Sequence, residues 1–375
     1  MHQCAQKTMK LICSQKKLNN GLNIVEKAIG KSLPVLECVL VSAKEDKIEL
    51  STTNLEISIK HQLSAQVEEE GQIVVPAKLF SDFVEKLPNK DIELNVQKNA
   101  LEVKCGEFKA KINGLDVNDF PVIPEIKSES PTEIKQNILK ETLSRVIEMA
   151  STSESRPEIS GVFINPIDKS TKIVATDSFR LAEKNIETKF EQAIILPRQT
   201  VQELIKILDN DGEKAKIFID DNQILFDLGE TKIKSRLIEG PYPDYQKIIP
   251  QDFETKITID RQELIDNLVV SSIFANKINE IKLIIDPQES QIKIISHSEK
   301  GKNESCIKAE IESKVEGELI EILFNYKYIL DGLNNMFSDK IILNIAENAH
   351  KTIINPVGDN SYIYLIMPLA KSDSE

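Results

Sequence analysis

Tryptophan is absent from this sequence, and its 375 residues include only four histidines and five cysteines. The cysteines (Cys4, Cys13, Cys38, Cys105 and Cys306) show no CxxC spacing, and their odd number argues against a disulfide framework. His2, His61, His297 and His350 stand far apart, none paired at metal-ligand spacing, so neither a metal nor a cofactor is expected. The phosphate loop GxxxxGK, the strand-following GxGxxG, the GxSxG elbow and HExxH are all missing, which removes the commonest catalytic signatures. No apolar run reaches 18 residues, and the opening MHQCAQKTMKLIC has no apolar core of signal-peptide length. A cytoplasmic protein with no membrane partner fits this pattern. Glycine (13) and proline (15) are few and the apolar fraction of 41% is ordinary, which argues against extended disorder.

What is present is a threefold repeat. A chain of 375 residues exceeds the roughly 250 that one core usually serves. An apolar strand followed directly by a helix occurs at IVVPAKLFSDFVEKLP (73–88), AIILPRQTVQELIKIL (193–208) and EILFNYKYILDGLNNM (321–336). Pro76, Pro197 and Asn325 suit the start of these helices. Apolar residues then recur at helical spacing: Leu79, Phe80, Phe83, Val84 and Leu87; Val201, Leu204, Ile205 and Leu208; Ile329, Leu330, Leu333 and Met336. A further helix precedes each, with stripes Leu18, Leu22, Val25 and Ile29; Leu139, Leu143, Val146 and Ile147; Leu264, Leu268, Val269 and Ser272. Each repeat reads as helix, strands, helix, strands. The fold class is therefore α+β, in three domains near 1–124, 125–252 and 253–375, each with two helices packed on a mainly antiparallel sheet. The joins, DFPVIPEIKSESP and YQKIIPQDFE, carry proline.

The formal charge of -13 disfavours nucleic acid as a partner on net charge alone. Position matters more than the sum. The helices carry Lys16, Lys17, Lys27, Lys78, Lys86, Lys140, Arg145, Arg198, Lys206, Arg261, Lys277 and Lys327. Were all six helices to line one surface, that surface would be far more basic than the rest; against it, Glu26, Asp82, Glu85, Glu141 and Glu203 lie there too.

One stretch is chemically dense: IVATDSFRLAEKN, residues 173–185, packs Thr176, Asp177, Ser178 and Arg180 together. A catalytic cluster, a binding site and an ordinary turn are all open. Its counterparts, LSTTNLEISIK in the first repeat and IISHSEKGKNESC in the third, read as strand, polar turn, strand, and Asn54 and Asp177 both favour turns. A hydrolase using Ser178 and Asp177 would need a histidine from outside 125–252.

The segments KSLPVLECVLV (31–41), STTNLEISI (51–59), VVPAKLFSDFVEKLP (74–88), VATDSFRLA (174–182), SRLIEGPYPDYQKIIP (235–250) and YLIMPL (364–369) together resemble the bacterial DNA sliding clamps, the beta subunit of the DNA polymerase III holoenzyme. The resemblance runs from about Lys10 to the end of the chain. It implies a non-catalytic processivity factor: a head-to-tail homodimer whose clamp domains close a ring around double-stranded DNA, without sequence preference. It implies DNA-facing roles for Lys31, Lys78, Arg156, Arg198 and Arg236, and a dimer interface at Phe108, Ile273 and Phe274. The replicative polymerase, the clamp loader and other clients are expected to dock short linear motifs in a pocket of Ile159, Thr176, Phe179, Arg180, Leu181, Pro243, Lys247, Ile248, Leu365, Ile366, Met367, Pro368 and Leu369. Departures from the family pattern are Pro157-Glu158, Ser178-Phe179 in place of Gly-His, and a tail AKSDSE in place of an Arg-Leu ending. Against this stand a hydrolase and a scaffold of repeated domains that never meets DNA.

Overall fold

The computed structural model describes residues 8–126, 130–153, 155–314, 318–347 and 351–370; His2, Cys4, His350 and tail residues 371–375 lie outside them. Six helices occur among the described residues: α1 Gln15–Val25, α2 Ala77–Lys86, α3 Gln136–Val146, α4 Arg198–Ile207, α5 Arg261–Ser272 and α6 Tyr326–Asn334. The second helix of each repeat, α2, α4 and α6, follows its strand directly, as the sequence predicts. Pro76 is the N-cap of α2, and the Asn325 side chain accepts from the Lys327 amide at the start of α6.

Two details differ from the sequence reading. Every repeat opens with a strand before its first helix: Met9–Ser14, Thr132–Lys135 and Thr255–Asp260. These strands run into α1, α3 and α5 without a glycine or proline break, so their period-2 signal is absorbed into the helical one. The apolar stripes also hold outliers. Leu79 in α2 is 56% exposed and Val269 in α5 is 50% exposed, while Ser271 is buried on the core face of α5.

All strand pairs among the described residues are antiparallel, and the chain groups into two compact units, Met1–Ile138 with Gln202–Leu237, and Leu139–Val201 with Ile238–Glu375. In the first unit an eight-stranded sheet joins the first two repeats where Ile57–Ser64 pairs with Thr231–Arg236. In the second, a nine-stranded sheet joins the second and third repeats where Arg180–Ile186 pairs with Tyr362–Ile366. Each unit also holds a smaller sheet. Phe108–Asn113 is one of the two edge strands of the first and Gly301–Lys308 one of the two edge strands of the second.

The proline-bearing joins pack on these sheets. Phe120 buries itself with Cys38 and Val74 in the first unit; Tyr245 does so with Val174, Leu181, Ile353 and Leu365 in the second. One close approach fixes the third repeat's helix. A Cβ on Gly332 would stand 2.4 Å from Cε1 of Tyr364, so only glycine lets α6 lie directly on the strand Tyr362–Ile366. That close packing brings Tyr328 and Asp331 beside the 176–181 turn.

Candidate functional site

The turn after Ser170–Thr176 is held by its own side chains. The Asp177 carboxylate accepts from the Phe179 and Arg180 amides at 3.0 and 3.1 Å. The Thr176 hydroxyl donates to the Arg180 carbonyl at 2.7 Å and accepts from the Ser178 amide at 3.1 Å. Ser178 sits at φ 80°, a left-handed conformation that costs a non-glycine residue roughly 1–2 kcal/mol. The same set recurs in the first unit, where Asn54 accepts from Glu56 and Ile57, Thr53 donates to the Ile57 carbonyl, and Leu55 has φ 76°. Asp177 is thus a turn residue that also anchors a cation, since its other oxygen accepts from Arg180 Nε at 3.0 Å. Ser178 Oγ accepts from Arg156 Nη1 at 2.9 Å. With both side chains engaged this way, the residues of the supposed hydrolase act as scaffold.

Arg180 is the hub of one wall. Besides Asp177 it donates to Asp331 of α6 and, at 3.2 Å, to the Glu148 carbonyl, while its guanidinium lies 4.6 Å over the Tyr328 ring. Burial lowers its pKa, but Tyr364 and the two carboxylates outweigh this and leave it raised. Phe179 stacks on Tyr328 at 6.2 Å and remains 58% exposed, a large apolar surface facing water. The Tyr364 hydroxyl donates to the Tyr328 carbonyl at 2.6 Å, tying the platform to the strand beneath.

A second wall is apolar. Strand alternation places Leu181 opposite Leu365 and Glu183 opposite Ile363 on one face, and Arg180 opposite Ile366 on the other. Leu181 and Leu365 join Val174, Tyr245 and Ile353 in a buried cluster, with Phe163, Tyr242, Ile248 and Ile249 partly exposed around it. Phe163 and Tyr242 stack with centroids 4.4 Å apart. Burial, then the neighbouring Glu183 carboxylate, raises the Tyr245 hydroxyl pKa. Glu183 itself is buried and paired with Lys172 at 2.9 Å.

The thirteen residues expected at the pocket therefore divide. Leu181, Ile248 and Leu365 come together in the cluster. Met367 is half-buried, its amide bonded to the Phe179 carbonyl at 2.9 Å; Pro243, Pro368 and Leu369 are half-buried too, and the Leu369 amide donates to the Leu323 carbonyl. Lys247 is exposed and paired with Asp244. Ile159 and Thr176 are buried, and the Thr176 hydroxyl is committed to the turn. Ile366 is a correction: it is buried on the opposite face, sharing a core cavity with Leu264, Leu283, Phe324 and Ile329, because the pleat turns alternate side chains away. The sequence reading missed Tyr328, Tyr242, Tyr245 and Asp331. Tyr242 and Tyr245 lie in the quoted PYPDYQKIIP; Tyr328 and Asp331 reach the site only through the packing of α6.

Of the expected basic positions, Lys31 and Lys78 are exposed, and Arg236 is exposed beside Glu56 at 3.8 Å. Arg156 is paired with Glu158 at 3.1 Å. Arg198 differs, since its guanidinium donates to the Ile147 and Ala150 carbonyls and pairs with Glu148, so its charge is spent on the turn at 147–150 that follows α3. Phe108 (55%) and Ile273 (70%) are largely exposed, and Phe274 is half-buried.

Fold and site together define a protein of repeated α+β domains with a buried apolar cluster beside a braced turn. Family models for the N-terminal, central and C-terminal domains of the DNA polymerase III beta subunit match residues 9–124, 133–244 and 246–370. A beta sliding clamp of Synechocystis is 31% identical over 393 residues, covering 96% of this chain and 99% of the relative. One from Staphylococcus aureus is 30% identical, covering 93% and 96%. The DNA polymerase sliding clamp of Bacillus subtilis matches with a TM-score of 0.92 at 30% identity, over 97% of this chain and all of that one. The chain belongs to the beta-subunit family of DNA polymerase III, the bacterial sliding clamps. Its function is that of a DNA polymerase processivity factor, an accessory subunit without catalytic chemistry of its own.

Proposed function

We propose that two copies of this chain, each with domains near 1–124, 125–252 and 253–375, assemble head to tail into a closed ring around double-stranded DNA in the cytoplasm. The ring holds the replicative polymerase, the clamp loader and other clients through the apolar site of the second unit. The observation that carries this reading is the cluster of Leu181, Leu365 and Ile248, on a strand pair whose end joins exposed Phe179 to half-buried Met367 by a backbone bond. Half-buried Ile248 and Met367, with Leu181 and Leu365 buried in the cluster and a rigid turn beside them, suit the apolar anchors of a short peptide.

Topological linkage replaces the strong attraction a simple DNA binder needs, which suits a chain of net charge -13. Lys31, Lys78, Arg156 and Arg236 supply weak contacts to phosphates, with Arg198 bracing the wall rather than reaching out. Phe108 on one edge strand, and Ile273 and Phe274 at the end of α5, form the interface between copies. After loading, the protein should stay on a nicked circular plasmid and slide off once the plasmid is linearised. Equal retention on both forms would refute encirclement.

A further inference from the structure

The frame of the apolar pocket is built twice, with different side chains. In the first unit Arg236 donates its amide to the Glu56 carbonyl, as Met367 does to Phe179 in the second, beside the same hydroxyl- and Asx-braced turn. The outward cross-strand pairs correspond one for one. Leu181–Leu365 becomes Ser58–Lys234, and Glu183–Ile363 becomes Lys60–Lys232. The ion pair on the flanking strand is reversed in sign: Lys172–Glu183 at 2.9 Å becomes Glu49–Lys60 at 3.5 Å. A groove of about 380 Å³ lies here under residues 123–126.

We propose that this groove of the first unit binds acidic peptide segments, as a second docking site distinct from the apolar pocket. Lys60 and Lys232 stand directly opposite one another, an arrangement that costs stability until an anion lies between them. Their own carboxylates compensate only partly, at 3.5 Å from Glu49 and 3.7 Å from Asp227. Lys234 is half-buried and held by the Pro124 carbonyl; burial, and next among the lowering influences the charge of Lys60, depress its pKa, which a bound carboxylate would reverse. Lys232 and Lys234 lie two residues apart on one strand face, about 6.6 Å, the spacing of alternate side chains in an extended peptide. Ile123 and Leu225 give the groove an apolar floor for the residue between two acids. Glu49 and Glu125 in the wall disfavour the unbroken charge of a nucleic acid strand. The correspondence of frames rests on reading the second unit's site as a peptide pocket; the lysine geometry does not.

The test is fluorescence anisotropy on the full chain with three labelled probes, namely the peptide Glu-Leu-Glu-Leu-Glu, its glutamine counterpart, and a single-stranded oligonucleotide. The acidic peptide should bind at least about tenfold more tightly than the glutamine peptide and weaken as salt rises. Lys232→Gln with Lys234→Gln should abolish that preference, and exposed Lys232→Gln alone, which leaves the Pro124 bond intact, should reduce it. Met367→Ala should leave it unchanged while weakening an apolar Leu-Phe peptide, so failure of one site is distinguishable from failure of the other. Equal binding of acidic and glutamine peptides, unchanged binding in both lysine variants, or a preference for the oligonucleotide that disappears with the same lysines would overturn the proposal.

Discussion

Met367 is the most informative single perturbation of the apolar site. Its side chain is half-buried, whereas its amide bonds the Phe179 carbonyl through the backbone, which alanine preserves. Met367→Ala removes three heavy atoms from the surface a client anchor would cover. At about 0.8 kcal/mol per buried methylene-sized group, the loss is about 1–2 kcal/mol, or a roughly five- to thirtyfold weaker Kd for a Leu-Phe peptide. Ending the chain after Ile366 goes further, removing Met367, Pro368 and Leu369 together with two backbone bonds, yet it keeps Leu365 and Ile366, which are fully buried and paired with Leu181 and Arg180. A cut two residues earlier would delete that core and confuse binding with unfolding. Calorimetric titration of the peptide into wild type, Met367→Ala and the shortened chain, beside a melting curve for each, separates the two effects. Equal affinity in all three, with unchanged melting, would show that no peptide uses this surface.

Asp177→Asn keeps the turn acceptors, as Asn54 does naturally, and loses only the charged bond to Arg180, which Asp331 still holds; it should cost about 1 kcal/mol, whereas Asp177→Ala should cost roughly 3 kcal/mol in denaturant titrations. Burial holds His61, bonded to Thr231, below its ordinary pKa of 6.5, so its contribution is present above that value and is lost as pH falls through 6.5 toward the lower folded value. Melting temperature should drop over that window, and His61→Gln should flatten the fall. Ile273→Glu with Phe274→Glu should convert the proposed dimer to monomer by light scattering, an unchanged mass counting against the proposed interface. Lys78→Gln with Arg236→Gln should lower the slope of log affinity against log salt for duplex DNA by about 0.9 for each phosphate no longer neutralised, whereas Arg198→Gln should chiefly lower stability.

The repeat, the class of each helix and the turn at Thr176–Leu181 were legible in the sequence because each rests on local physics. Helical apolar spacing survives in Leu139, Leu143 and Val146; the capping residue Asn325 and the Asx acceptor Asp177 bond within three positions of themselves. Non-local pairing decided the rest. Whether Ile366 or Leu365 joins the Tyr245 cluster depends on the register of that strand against Arg180–Ile186, about 180 positions away, and a one-residue slip would exchange them. Tyr328 and Asp331 reach the turn because Gly332 allows α6 to lie on Tyr364, and Arg198 is withdrawn from solvent by carbonyls of a segment some fifty residues earlier. Residue types and their periods thus settle which elements form, since they act over a few bonds; which faces meet, and so which charges are free and which apolar groups are exposed, is settled only when distant strands take their register.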